Sequence, residues 1–254
     1  MLYKDTLTKL QKNYLEILNK ALPGLKVDPL TIEVVDHGLA NGEADDTFLH
    51  CGLGISVRQI YIRPESAIGY TGKILIWLPG QFMPEHRHRD IIAVPKEMMK
   101  NLHLPFKFIN MRDVVNDFNG VKGYDSDKYE FVVPTEDSVL INFKDIPAGC
   151  ELIPGKAESF DVIYGDGSYF MPGEKTENPK YSVPDSQKEH VKNRHEYYMS
   201  PEKGVLLRIP PNTPHSARAG PKGMVAIEYS MPSRDEADIF THPEIKRATE
   251  IRER

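Results

Sequence analysis

Cysteine is scarce: Cys51 and Cys150 are the two thiols in 254 residues, and they form no Cys-x-x-Cys pair. That excludes a disulfide scaffold and a cysteine-based zinc or redox motif, and it leads us to expect two reduced thiols in a cytoplasmic protein. Long apolar runs are also lacking. None approaches the roughly 20 residues that cross a bilayer, so no membrane association is expected. Met1 to Lys20 is amphipathic and carries acids, without the apolar centre and cleavage pattern of a signal peptide. Positive charge is not in excess. The 32 Lys and Arg against 37 Asp and Glu leave a net −5, which argues against a nucleic-acid partner. Repeats and low-complexity segments are missing too.

What remains is an ordinary soluble composition, 27% charged and 40% apolar, on a chain long enough to bury a sizeable core. Leu7, Leu10, Tyr14, Leu18 and Ala21 recur at spacings of three and four, which predicts a helix over 5–21. Asp5 is its expected N-cap, and Pro23-Gly24 its stop. Beyond residue 30 short β-rich runs follow: Ile32–Val35, Ile55–Ile62, Lys73–Leu78, Ser138–Phe143, Phe160–Tyr164, Val205–Ile209 and Met224–Tyr229. With 20 prolines and 18 glycines punctuating them, they point to an all-β barrel or jelly roll. Helices are expected at Pro95–Leu102 and Arg112–Phe118, within a stretch that looks inserted.

Two segments carry the chemistry. In Gly80-Gln81-Phe82-Met83-Pro84-Glu85-His86-Arg87-His88, the histidines stand at i and i+2. On a strand they point to one face, as a shared metal requires. In Gly204-Val205-Leu206-Leu207-Arg208-Ile209-Pro210-Pro211-Asn212-Thr213-Pro214-His215, a proline-rich turn re-aims the chain so that His215 can point inward. Each alone is weak. Together they resemble the two cupin motifs, with Gly80, His86 and His88 in register in the first and Gly204, Pro210 and His215 in the second. Asn212 replaces the usual Gly, and Asn tolerates left-handed geometry; Ala219 replaces the usual Asn.

The first cupin motif should continue with Glu, six residues, then Gly. That pattern appears only downstream, at Glu158 and Gly165. The intervening residues, about 89–154, are therefore expected to be an insertion in one barrel hairpin, since closure entropy grows slowly with loop length. Glu97 is the rival ligand. The fold expected is a cupin double-stranded β-helix in one domain spanning 1–254. An N-terminal helical extension covers 1–30, the barrel core 31–88 and 155–232, and a tail 233–254. His86, His88, Glu158 and His215 make a borderline donor set suited to Mn, Fe, Co, Ni or Zn.

A closer resemblance follows from Gly155-Lys156-Ala157-Glu158-Ser159-Phe160, Tyr169-Phe170-Met171-Pro172-Gly173-Glu174, Glu228-Tyr229-Ser230 and Ser233-Arg234-Asp235-Glu236-Ala237-Asp238-Ile239-Phe240-Thr241-His242-Pro243. This series resembles the D-lyxose isomerase family of cupin sugar isomerases over 73–88 and 155–245, weakly over the first 70 residues, and not over 89–154. Ala157 and His242 depart from the family's Glu and Asp. The resemblance implies an aldose–ketose isomerase of a free sugar, D-lyxose to D-xylulose and D-mannose to D-fructose. It also implies a homodimer and a divalent metal, commonly manganese.

That chemistry moves a proton between C1 and C2, so it needs a base and an acid beside the metal. Lys156, two residues before Glu158, would share its face on a strand, and a cation beside it should lower its pKa. Glu228, in the apolar run Met224–Tyr229, is the other expected catalytic residue. Arg234, Asp238 and Phe240 are expected to contact the sugar. The alternatives are a cupin dioxygenase, a phosphosugar isomerase with Arg87 and Arg89 as phosphate donors, and a non-catalytic sugar-binding cupin.

Overall fold

Two long strands organise the molecule, and both turn a corner. The computed structural model describes residues 2–36, 51–62, 69–103, 106–108, 128–134, 146–191, 194–231, 238–245, 249 and 251–252. Among these, the chain begins with β1 (Leu2–Tyr3) and a helix, α1 (Lys4–Ala21). Then come β2 (Glu33–Asp36), β3 (Gly52–Ile62), β4 (Gly69–Trp77), β5 (Phe82–His88) and β6 (Ile91–Pro95). A 3-10 turn at Lys96–Asn101 leads to β7 (Phe106–Phe108), β8 (Tyr129–Pro134) and β9 (Glu151–Ile153). The last are β10 (Glu158–Pro172), β11 (Arg194–Met199), β12 (Leu207–Ile209), β13 (His215–Ser230), β14 (Asp238–Phe240) and β15 (Ile251–Arg252).

β10 and β13 pair along their length. The first residues of β10, Glu158–Phe160, also pair with β12, and its last, Gly167–Pro172, pair with β11. In the same way β13 gives His215–Arg218 to β5 and Met224–Ser230 to β4. Bulges between Val162 and Tyr164 and between Gly165 and Gly167 mark the bend. Gly165 sits there at φ +67, and a Cβ would fall 2.0 Å from the Gly223 carbonyl oxygen. That is the physical meaning of the glycine in the Glu-x6-Gly pattern.

Bent in this way, the nine-stranded sheet turns one face inward. Leu53, Leu75, Trp77, Met83, Phe160, Tyr169, Leu207 and Met224, from six strands, join a single core. β4 is buried on both faces. Leu75 and Trp77 face that core, whereas Ile74, Ile76 and Leu78 meet Leu10, Tyr14, Ile17 and Leu18 of α1. The predicted helix therefore packs on the outside of the barrel wall. It starts one residue earlier than expected, after Tyr3, and Asp5 lies in the first turn rather than capping it. Gln81 locks the pair, donating from Nε2 to Tyr14 Oη (2.9 Å) and accepting from the Leu78 backbone (2.9 Å).

The inserted stretch is more than a loop. β7, β8, β6 and β9 form a separate four-stranded antiparallel sheet in that order. Ile92, Val94 and Val132 give it its own small core, joined by Met98, Met99 and Leu152. The helix expected at Pro95–Leu102 is a 3-10 turn. The strand at 138–143 and the helix at 112–118 lie outside the described residues. The C-terminal stretch is not merely a tail, because β14 extends the main sheet alongside β5. Among the described residues no helix is long and apolar enough to cross a membrane.

Candidate metal and active site

The alternation of β5 puts His86 and His88 on its inner face. His215, the first residue of β13, pairs directly with His86. The turn before it does what the sequence requires: Asn212 adopts φ 56, and its backbone N–H donates to the His88 carbonyl at 3.0 Å. One histidine motif is thereby tied to the other. The ring centroids lie 4.4 Å (His86–His215), 5.0 Å (His86–His88) and 5.4 Å (His88–His215) apart. A ligand atom from each falls within 4.8 Å of the other two. Glu158, the first residue of β10, reaches the same point. Its Oε1 is 3.1 Å from His88 Nε2 and its Oε2 is 3.0 Å from His215 Nε2.

The far side of each ring is fixed. Nδ1 of His86 donates to the Pro84 carbonyl (2.9 Å), Nδ1 of His215 to the Thr213 carbonyl (2.9 Å), and Nδ1 of His88 to Asp238 Oδ1 (2.5 Å). This assigns the Nε2 atoms to the shared point. Nε2 of His88, Nε2 of His215 and Oε2 of Glu158 are buried and, apart from one another's residues, have no hydrogen-bond partner. Buried polar atoms are ordinarily satisfied. Converging orphans backed by carbonyl and carboxylate acceptors are what a metal site leaves when its ion is subtracted. Three imidazoles and a carboxylate fit a divalent ion of borderline softness.

The charges are balanced in a low-dielectric setting. Burial opposes a proton on His88, but Glu158 and Asp238 outweigh it and raise its pKa to about 9. Burial and the neighbouring His215 and His88 hold His86 well below its ordinary value. Burial works against the Glu158 anion, yet His88, Lys156 and His215 keep it well below the usual carboxylate range. Asp238 is lowered against the same penalty, chiefly by His88.

Lys156 precedes the strand rather than lying on it, since β10 begins at Glu158. It is aimed inward by Gly155, whose N–H donates to Asp90 Oδ1 at 2.5 Å. A Cβ at Gly155 would meet the His88 carbonyl oxygen at 2.2 Å, so only glycine permits the approach. Lys156 Nζ then lies 2.5 Å from Glu158 Oε1 and 3.2 Å from Glu228 Oε1. Burial disfavours its charge, but these two carboxylates raise its pKa. The fall was expected beside a bound cation; in the metal-free chain the anions beside the ammonium decide, and the direction is upward. Glu228 is buried and faces inward, with Ser230 Oγ donating to its Oε1 at 2.6 Å.

Lys73 joins the site without belonging to any of the sequence motifs. It is buried on β4 opposite Glu228, its Nζ 4.0 Å from Oε1. The signal was there, because Lys73, Leu75 and Trp77 share the period-2 face that lines the barrel. Phe240 lies with its ring centroid 5.5 Å from that of His86. Asp238, expected at the sugar, lines the same pocket and accepts from His88. Arg234 lies outside the described residues, and Glu97 is exposed on the 3-10 turn. Lys73, Lys156, Glu228, Phe240 and the four candidate ligands all line one pocket.

The chain is 30% identical over 252 residues to the D-lyxose/D-mannose isomerase of Thermosediminibacter oceani, covering 99% of both chains. The chain belongs to the D-lyxose isomerase family. It is a sugar isomerase, interconverting an aldose and a ketose. A D-lyxose ketol-isomerase of a Thermofilum species is 40% identical over 97 residues, 38% of this chain and 53% of that one. The fold is shared with the L-ribose isomerase of Geodermatophilus obscurus, at a TM-score of 0.62 and 11% identity over 99% of this chain and 98% of that one. No family model matches the chain. The similarity to the first relative runs through 89–154, a stretch in which no motif carries the resemblance. At the departure position, the ring of His242 packs against His190 with centroids 3.9 Å apart.

Proposed function

We propose that this isomerase is metal-dependent and acts on a free sugar, converting D-lyxose to D-xylulose and D-mannose to D-fructose. The observation that carries this is the Lys156–Glu228 pair beside the three histidines and Glu158 in one pocket. When bound, a divalent ion held by His86, His88, Glu158 and His215 would supply positive charge against the negative charge developing on neighbouring sugar oxygens. Ser230 and Lys156 both donate to Oε1 of Glu228. They set the carboxylate's rotation, and Oε2 is the oxygen that takes the proton from C2 and returns it to C1. Lys156 stands by the sugar oxygens, where the O2 hydroxyl proton leaves and O1 gains one. Phe240 and the apolar wall of Leu53, Ile55, Leu75 and Phe160 exclude water. Arg234 belongs to the proposed sugar contacts by resemblance alone.

Manganese is the proposed metal, by resemblance and by the mixed nitrogen and oxygen donors. The same resemblance supports a homodimer, and the scarcity of cysteine fits a cytoplasmic setting. Buried Lys73, Lys156 and Glu228 make the pocket too polar for the dioxygenase reading, and a complete proton-transfer pair argues against a mere sugar binder. The test is turnover of D-lyxose, D-mannose and D-xylulose by protein loaded with Mn, Co or Ni. Isomerisation that chelation abolishes is expected. No turnover of any pentose or hexose with these metals would overturn the proposal.

A further inference from the structure

Glu85 faces away from the histidines, on the other side of β5, and is 2% exposed. A carboxylate buried so deeply needs partners. It accepts Nε of Arg194 at 2.5 Å and Nη2 at 2.8 Å, and Thr241 Oγ1 at 2.7 Å. The Glu85 carbonyl accepts the Thr241 backbone N–H at 3.0 Å. One residue thus gathers β11 and the residue just beyond β14.

β14 has three residues, none of them fully buried. So short a strand has little to hold its own register. Yet Asp238 must sit opposite His88, and Phe240 opposite His86. A slip of one residue would turn Asp238 to the outer face. Thr241, three positions after Asp238, emerges on the outer side, where Glu85 takes it twice.

We infer that Glu85 is a positioning residue which, through Thr241, holds β14 in register and so keeps Asp238 on His88. It thereby sets the metal affinity of a site whose ligands its side chain does not touch. This rests on the reading that His86, His88, His215 and Glu158 hold a divalent metal.

The probe is Co(II) alone, titrated into the metal-stripped full chain and followed by its visible absorbance, which reports both affinity and ligand field. Asp238→Ala should weaken binding by roughly 10–100-fold, the usual cost of losing an outer-shell partner. Thr241→Val should weaken it about tenfold and shift the spectrum in the same direction, and Thr241→Ser should restore both. Combined with Asp238→Ala, Thr241→Val should cost no more than about a further twofold, because both act through one contact. Glu85→Gln should follow Thr241→Val, and the threonine variants keep the test open if Glu85→Gln does not fold. Wild-type affinity in Thr241→Val while Asp238→Ala is impaired would overturn the inference and leave the metal reading standing, as would losses that multiply in the double variant. Failure of the wild-type chain to bind Co(II) would overturn both.

Discussion

Lys156 Nζ lies 3.2 Å from Glu228 Oε1, across 72 residues of chain. The contact couples the segment leading into β10 to the far end of β13, and it places a cationic donor against the expected base. Replacing either member should leave the metal donors in place. Lys156→Ala and Glu228→Gln are each expected to keep metal content while kcat falls by about 10²-fold or more, the usual share of acid–base catalysis. Turnover at wild-type rate in either variant, with metal content measured alongside, removes that residue from the mechanism.

The ligand assignment separates two glutamates. Glu158→Ala should lose stoichiometric metal and activity together, whereas Glu97→Ala, altering an exposed side chain on the 3-10 turn, should change neither. The reverse pattern in elemental analysis would mean that the insertion has been read wrongly.

Proton release should accompany metal binding. His88, raised to about 9 by Glu158 and Asp238 against its burial, carries a proton at neutral pH in the metal-free chain. An ion must displace that proton. Calorimetry in two buffers of different ionisation heat should show about one proton released near pH 7, and apparent affinity should climb with pH and flatten above about 9. The sign for the metal-free fold is opposite. A raised folded pKa gives stability that is full below about 6.5 and is lost as pH rises through about 9. No proton release at pH 7 would contradict this picture.

Gly155 offers a steric test. An alanine there would press on the His88 carbonyl oxygen, and that oxygen also accepts from Asn212. Gly155→Ala should push Lys156 and Glu158 away from the histidines, with metal affinity and turnover dropping together. Unchanged Co(II) binding and kcat would show that the two segments tolerate separation.

Lys73 should matter without binding metal. Lys73→Met keeps an unbranched chain, one atom shorter, and removes the charge beside Glu228. Metal content is expected to hold, with kcat or KM for D-lyxose worsened about tenfold or more. Kinetics identical to wild type would make it a packing residue.

Much of this was legible before folding is considered. Strand alternation alone puts His86 and His88 on one face, and motif spacing alone singles out Glu158 and Gly165 across an interruption. The left-handed turn at Asn212 and the amphipathic α1 are local matters too, decided by backbone sterics and an apolar stripe within a few residues. Lys73 was legible by the same alternation and was overlooked. Register between distant strands was not legible. That Asp238 serves His88, that Lys156 bridges Glu158 and Glu228, and that Glu85 receives Arg194 and Thr241 all follow from which strands pair and at what offset. The same holds for the insertion, whose short runs became a sheet only by finding one another. Local pattern sets the face a side chain takes; the partner on that face is chosen by long-range pairing, and only the tertiary structure decides it.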